Sequence, residues 1–327
     1  MYSWGGGTKD WKKPGAYNYN SARKPYLDKL AAASKARGGR SYVKGSSPNS
    51  KLVHTGKKEI FSDSENPLIV AVDVTGSMER WPAEIFDRLP LLYQTLSQYR
   101  PDLEVCFAAI GDAYSDEYPL QINNFGKGVA LEDHINALYP EGGGGGQIHE
   151  TYELFGHYIL NHCKTPKAKN PFLLIFGDEK FYENVNPDQA EHFMGYRPEK
   201  AIESKSMWKN LMQKFNMFYL QKPYGWGDNN SITQSVTDTW AEAIGKQRII
   251  ALPSMERAVD VGMAIVARHW GKFGDYTKNI SARQDSSQIK LVMKSIRYIP
   301  VDPNTPITRA SKLLVGSDGN ASKRLDQ

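Results

Sequence analysis

An aspartate and two hydroxyl residues follow a short apolar run in the stretch LIVAVDVTGSM, residues 68–78. The five apolar residues before the aspartate have the length and β-branched content of a strand buried on both faces. Asp73 lies where that strand would leave the sheet, and Thr75 and Ser77 follow at alternate positions of a tight turn. Alternate side chains of a turn can point to one side, so one carboxylate and two hydroxyls can converge. Hard oxygen ligands of this kind suit Mg²⁺ or Mn²⁺.

The sequence after residue 65 alternates between strand-like and helix-like patterns, which predicts the elements that position this motif. Strands are predicted at 66–73, 103–110, 170–178, 215–220 and 248–253, with an edge strand at 120–125. Helices are predicted at 82–98, 131–138, 150–162, 201–214, 231–244 and 255–270, the last of which closes the series. Apolar strands that alternate with amphipathic helices indicate a doubly wound, mainly parallel α/β sheet with helices on both faces, as in Rossmann-like folds.

Ligands of such sheets collect at the carboxyl ends of the strands. Asp178 ends the predicted strand NPFLLIFGD, so we expect it near Asp73. A glycine run, EGGGGG, leads into the helix that begins near Glu150 and Thr151. Asp112, in the segment GDAYSDE, also follows a predicted strand. Three interpretations stay open: it forms part of a turn, it borders the metal site, or it supplies a second cation site.

Residues 66 to about 271 resemble a von Willebrand factor A domain, and DVTGS resembles the metal-ion-dependent adhesion site of that family. The family pattern is D-x-S-x-S after the first strand, a threonine in a glycine-rich loop and an aspartate after a later strand. The resemblance implies that Thr75 and Ser77 coordinate the ion directly, that Asp73 acts mostly through water, and that Asp178 is the later aspartate. IGDAYSDEYPLQ and GGGGGQIHETYEL also resemble stretches of uncharacterised bacterial and phage proteins with this domain, a similarity that brings no activity with it.

The chain departs from the family pattern at two places. Where the family usually has T-D-G, this sequence has Gly177, Asp178 and Glu179, which makes Glu179 a possible accessory residue. Gln147 stands where the glycine-loop threonine is sought. Thr151 is the nearest hydroxyl, Glu150 is an acidic alternative that would make the site more negative, and a third possibility is that neither residue contributes.

Charge divides the chain into a basic arm and a mildly acidic body. Residues 1–58 carry ten lysines and three arginines against two aspartates, which gives +11; since the whole chain is +5, the remainder is −6. We predict a basic Gly/Tyr/Lys-rich arm at 1–62, a von Willebrand-like domain at 63–298 and a polar tail at 299–327. The arm has little hydrophobic periodicity, so it is either a solvated tail or a segment that binds nucleic acid or another acidic surface.

Composition excludes several other classes. Two isolated cysteines, Cys106 and Cys163, form neither a disulfide framework nor a zinc pattern, which is typical of reduced thiols in a cytosolic protein. No stretch reaches the roughly 18 apolar residues of a membrane span, and no secretory signal follows Met1. The glycine run lacks the G-K-[ST] ending of a phosphate-binding loop. We expect a cytoplasmic protein without a membrane span.

A haloacid-dehalogenase-type phosphatase or phosphotransferase is the enzymatic alternative, because DVTGS is similar to the D-K-T-G-T of its ion-pumping members. Asp73 would then be the nucleophile that forms an aspartyl phosphate. That chemistry also requires a well-placed lysine, whereas Lys167 and Lys169 lie in a Pro/Lys loop. The glycine run has no role in such an enzyme, so we expect a binding protein rather than an enzyme.

The expected function is binding of a protein partner through a divalent cation, Mg²⁺ or else Mn²⁺ or Ca²⁺, that an Asp or Glu of the partner completes. Two further hypotheses belong to other classes of function. In one, the domain is an adaptor in a larger assembly or beside an AAA+ ATPase, with the basic arm as the docking element. In the other, the arm binds nucleic acid without sequence preference.

Overall fold

Six apolar segments form one central sheet in the computed structural model, which describes residues 47–143, 146–224 and 230–299. The strands run in the order β6-β5-β4-β1-β2-β3, and only β3 is antiparallel to its neighbour. The predicted mainly parallel α/β sheet is therefore confirmed. The strands are β1 Leu68–Asp73, β2 Val105–Ile110, β3 Leu120–Ile122, β4 Phe172–Gly177, β5 Asn216–Gln221 and β6 Ile249–Ala251.

Helices cover both faces of the sheet, and alternate side chains of each strand supply the two cores. In β1, Val70 joins the core formed with α1, α2, α7, α8 and α9, whereas Ile69 joins the core formed with α3, α4, α5 and α6. The helices are α1 Trp81–Tyr99, α2 Ala130–Ala137, α3 Tyr152–His162, α4 Pro187–Met194, α5 Ser204–Lys214, α6 Asn230–Ile244, α7 Ala258–His269, α8 Phe273–Arg283 and α9 Ser286–Ser295.

The register of the central strands brings the predicted site residues to one edge of the sheet. All six residues of β1 are buried, and β1 lies between β2 and β4. Asp73 pairs with Ile110, the last residue of β2, and Val72 pairs with Phe176 near the end of β4. The loops that follow β1, β2 and β4 therefore begin side by side, at the carboxyl edge where the ligands of such sheets bind.

Three of the helices α1–α9 were not predicted from the pattern, and the expectation that the series closes at residue 270 is wrong. α8 and α9 follow α7, and α9 begins with a capping box in which Asp285 and Gln288 bond each other's backbone. α4 begins at Pro187 after the cap Asn186 and ends at Gly195, which has a φ of +66°. Each of these helices buries few apolar residues, and the end signals of α4 and α9 are clear.

Short strand pairs fasten loops outside the central sheet. His149–Glu150 pairs in parallel with Lys180–Phe181. This pair connects the segment after the glycine run to the loop after β4. Ile60–Phe61 pairs with Cys163–Lys164, and Asn184–Val185 with Ile202–Glu203. The predicted helix at 201–214 accordingly begins only at Ser204.

The predicted arm and tail lie mostly outside the described residues. Where the description begins, the Asn49 amide donates to the Ala137 carbonyl at 2.9 Å, a short helix spans Ser50–Val53, and Val53 and Ile60 are buried. At the other end Ile299 is buried against the helical core. Among the described residues, no helix combines the length and the apolar character that crossing a membrane requires.

The contact between α3 and α5 depends on Gly156. A Cβ there would lie 2.6 Å from ring atoms of Trp208 and 2.7 Å from the Met207 methyl group. We expect Gly156→Ala to lower the free energy of unfolding by about 1–3 kcal/mol, because the buried rings must shift to admit the methyl group. Urea unfolding measures this, with Lys209→Ala on the exposed side of α5 as the control. Equal stability of the two variants would show that the helices adjust without cost.

Candidate metal centre

Asp73 is the innermost residue of the site and has no solvent exposure. Its Oδ1 accepts hydrogen bonds from the Thr75 amide at 2.9 Å and the Thr75 hydroxyl at 2.6 Å, and its Oδ2 accepts one from the Tyr152 hydroxyl at 2.5 Å. Burial, and then the nearby carboxylate of Asp178, raise the pKa of Asp73 to about 7, although these hydrogen bonds favour the charged form.

A chain of hydrogen bonds joins the turn after β1 to the loop after β4. The Thr75 and Ser77 hydroxyls are 3.3 Å apart, and the Ser77 hydroxyl donates to Asp178 Oδ1 at 2.9 Å. Thr75 and Asp178 are buried, whereas Ser77 is half-buried at the outer side. The structure thus brings together four of the predicted residues, Asp73, Thr75, Ser77 and Asp178, with their oxygens in one connected set.

The glycine run begins against this turn. The Gly76 amide donates to the Gly143 carbonyl at 2.6 Å, and the Gly142 amide donates to the Val74 carbonyl at 2.9 Å. A Cβ on Gly76 would lie 3.0 Å from that Gly143 oxygen, and one on Gly143 would lie 2.1 Å from Asp116 Oδ1. Because Gly76 and Gly143 have no side chains, the turn after β1 and the glycine run can approach each other and Asp116, which lies in the loop after β2.

Glu150 and Glu179 form a buried pair of carboxyl groups next to Asp73. Each is 2% exposed, and Glu179 directly precedes the short strand Lys180–Phe181 that pairs with His149–Glu150. Burial, followed by the charges of Asp73 and Glu179, raises the pKa of Glu150 to about 12. Burial and Asp73 raise the pKa of Glu179 to about 8, while hydrogen bonds from Glu150 and Ser77 oppose that rise. The two carboxyl groups hydrogen-bond each other, which raises the pKa of Glu150 and lowers that of Glu179.

Thr151 and Asp112 lie on the side of the site that faces β2. The Thr151 hydroxyl donates to the Gly111 carbonyl at 2.7 Å and accepts the Ala113 amide at 3.1 Å, so it ties the loop after β2 to the start of α3. Asp112 accepts from the Tyr182 hydroxyl at 3.3 Å, and burial raises its pKa. The nearby carboxylate of Asp112 also contributes to the raised pKa of Glu150.

Sequence reasoning missed two residues that contact the aspartates. Tyr152 donates to Asp73 and fits only because residue 177 is glycine, since a Cβ there would lie 2.1 Å from the tyrosine oxygen. Lys222 Nζ lies 2.8 Å from Asp178 Oδ2. Lys222 directly follows β5, so a search for polar residues after strand ends would have identified it. Tyr152 is the first residue of a helix, and no pattern in the sequence marked it.

The donor set fits a small hard cation. Aspartate and hydroxyl oxygens converge, and the Oε2 atoms of Glu150 and Glu179 are buried without a hydrogen-bond partner. Oxygen donors of this kind suit Mg²⁺, Mn²⁺ or Ca²⁺. Within the described ranges, no group of three or more His, Cys, Asp and Glu side chains is arranged to hold a metal ion. A cation here would therefore depend on the hydroxyls of Thr75 and Ser77 together with the carboxylates.

The raised pKa values predict that the metal-free protein loses stability as the pH rises. The folded protein keeps the protons of Asp73 and Glu179 at pH values where the unfolded chain has lost them, so unfolding becomes easier as the pH increases through about 7 and 8. In chelator, we expect the melting temperature to fall by several degrees from about pH 5.5 to about pH 8.5.

Asp73→Asn is the matched variant for this measurement, because it keeps the shape of the side chain and removes its charge. We expect it to melt above the wild-type protein near pH 8 in chelator and to show a weaker dependence on pH. A wild-type melting temperature that stays constant over this range would contradict the assigned pKa values.

No protein-family model and no curated protein sequence matches the chain. Several solved structures show a partial likeness, of which two are described. The pilus adhesin SpaC of Lactobacillus rhamnosus GG is 13% identical with a TM-score of 0.45, and the match covers 69% of this chain and 32% of that chain. Proximal thread matrix protein 1 from the mussel byssus is 12% identical with a TM-score of 0.42, and the match covers 64% of this chain and 49% of that chain. The chain thus spans between about a third and a half of the length of these proteins.

Proposed function

We propose that the chain contains a von Willebrand factor A-like domain that binds a protein partner through a divalent cation at the carboxyl edge of its sheet. The observation that carries the proposal is the connected set of Asp73, Thr75, Ser77 and Asp178. These are the residues that the resemblance assigns to a metal-ion-dependent adhesion site. They come from two separate loops, so their convergence is a property of the fold rather than of one turn.

Each residue has a distinct role in the proposed site. Thr75 and Ser77 offer hydroxyl oxygens to the cation, and Ser77 stands where the site is half-exposed and a partner can approach. Asp73 fixes the orientation of Thr75, and Asp178 fixes that of Ser77. A bound Mg²⁺, Mn²⁺ or Ca²⁺ supplies an open coordination position that an Asp or Glu of the partner completes.

The third element of the family pattern is a threonine in the glycine-rich loop, and Gln147 stands at that position here. Thr151 uses its hydroxyl proton and one lone pair in bonds to the loop after β2. The Glu150–Glu179 pair instead borders Asp73 and Ser77 and carries unpartnered oxygens. We propose that this pair, rather than Thr151, completes the proposed site on the side of the glycine run.

Phosphoryl transfer with Asp73 as the nucleophile is the less favourable alternative. A nucleophilic aspartate must present a free oxygen to the donor, whereas both oxygens of Asp73 accept hydrogen bonds and the residue has no exposed surface. Lys222 does place a lysine at the site, but it pairs with Asp178 rather than Asp73. The contacts of the aspartate therefore favour a binding role over catalysis.

The partner hypotheses that depend on the basic arm concern residues 1–62, of which 1–46 lie outside the described residues. Docking to an AAA+ ATPase or a larger assembly and binding of nucleic acid remain predictions from charge alone. The metal-dependent proposal can be tested without them, because its residues all belong to the described part of the chain.

Titration calorimetry with Mg²⁺, Mn²⁺ and Ca²⁺ tests the proposed function on the full chain. We expect saturable binding of at least one of these ions to the wild-type protein, and loss of that binding in Asp73→Ala/Ser77→Ala, because the variant lacks one hydroxyl ligand and the group that orients the other.

Asp285→Ala/Ser287→Ala is the matched control for this experiment. It removes the same two residue types from another aspartate–hydroxyl pair, in which Ser287 Oγ donates to Asp285 Oδ1 at 2.6 Å at the exposed start of α9. We expect this control to bind the ion as the wild-type protein does. Absence of saturable binding to the wild-type protein, or equal binding by both double variants, would overturn the proposed function.

A further inference from the structure

Lys222 places a positive charge inside the group of buried carboxylates. Its Nζ is 2.8 Å from Asp178 Oδ2, with 3% of its side chain exposed and none of that of Asp178. The other oxygen of the same carboxylate accepts the Ser77 hydroxyl at 2.9 Å. Asp178 therefore connects a buried ammonium group on one side to a candidate metal ligand on the other.

The position of this ammonium group is fixed from both ends of the residue. The Lys222 amide donates to the carbonyl of Gly177, the last residue of β4, at 2.9 Å. Its Nζ also donates to the Pro223 carbonyl at 3.1 Å. The preceding residue, Gln221, is the last of β5 and accepts the Leu252 amide at 2.8 Å. The lysine cannot move its charge away without giving up bonds that are shielded from water.

Among the described residues, Lys222 is the cationic side chain that forms an ion pair with the buried carboxylates of the site. Of the ion pairs in the described ranges, this is the only one formed by the carboxylates of Asp73, Asp112, Glu150, Asp178 and Glu179. Buried carboxylates without a counter-charge are strongly unfavourable. Buried like charges, in turn, repel each other much more than they do in water.

We propose that Lys222 is an internal counter-cation of the site, which holds Asp178 and Ser77 in place when no divalent ion is bound and lowers the affinity for that ion. The inference rests on the proposed function, because it assumes that the divalent ion binds beside Asp178. Two opposite effects follow from removing the charge. The metal-free protein loses the partner of a buried carboxylate, and the divalent ion gains a site without a repelling neighbour.

Lys222→Met tests this proposal, since methionine keeps most of the unbranched stem and removes the ammonium group. Lys222→Gln, also uncharged, is made beside it as a second replacement. Lys205→Met is the control, because Lys205 forms an ion pair with Glu242 at 2.5 Å on the surface, where its side chain is 41% exposed. Each protein is titrated with Mg²⁺ and Mn²⁺ by calorimetry and melted in chelator and in excess Mg²⁺.

We expect Lys222→Met to bind the ion at least about tenfold more tightly than the wild-type protein, and to melt lower in chelator but not in excess Mg²⁺. A variant that folds only in the presence of the ion is the extreme form of this result and supports the proposal. Lys205→Met should match the wild-type protein in both measurements.

The outcomes separate this inference from the proposed function. Unchanged or weaker binding by both Lys222 variants, with saturable binding by the wild-type protein, would overturn the role of Lys222 and leave the metal site standing. Binding by the variants but not by the wild-type protein would support the role of Lys222 and overturn the proposed function of the native chain. Absence of binding in all of these proteins would overturn both.

Discussion

The buried carboxylate of Asp73, at the end of the central strand, is the constraint on which the rest of the site depends. A carboxylate without solvent exposure requires donors, and the chain supplies them from the following turn and from the first residue of α3. The tyrosine that donates from α3 requires a glycine at the end of β4. One buried acid therefore fixes the turn after β1, the start of α3 and the end of β4 relative to one another.

The electrostatic state of the site follows from the same burial. Five carboxyl groups collect at the carboxyl edge of the sheet, each 2% exposed or less: Asp73, Asp112, Glu150, Asp178 and Glu179. Burial raises the pKa of every one of them. Lys222 offsets part of this negative charge, and in the proposed function a divalent cation competes with it. The site therefore combines a demand for positive charge with an internal group that already supplies part of it.

Much of the sheet could be predicted because its strands are buried on both faces. Runs such as LIVAV and FLLIF allow no solvated side, so a parallel, helix-covered sheet is the arrangement that satisfies them. α4, α8 and α9 were harder, because the alternation of strands and helices does not require them: α4 is an additional helix between β4 and β5, and α8 and α9 follow the last strand. The starts of two of them were nonetheless marked, by Asn186 and Pro187 at α4 and by the capping pair of Asp285 and Gln288 at α9.

The sequence by itself determined which loops would carry the site, because Asp73 and Asp178 each follow an apolar strand and parallel strands end at one edge. Only the tertiary structure decided the neighbours of those aspartates. Tyr152 lies 79 positions from Asp73, and Lys222 lies 44 positions from Asp178. The order in which strands assemble determines such contacts, and local pattern does not encode that order. For the same reason, the bond of Thr151 to Gly111 and the pairing of Glu150 with Glu179 became evident only once β2 and β4 had been placed on either side of β1.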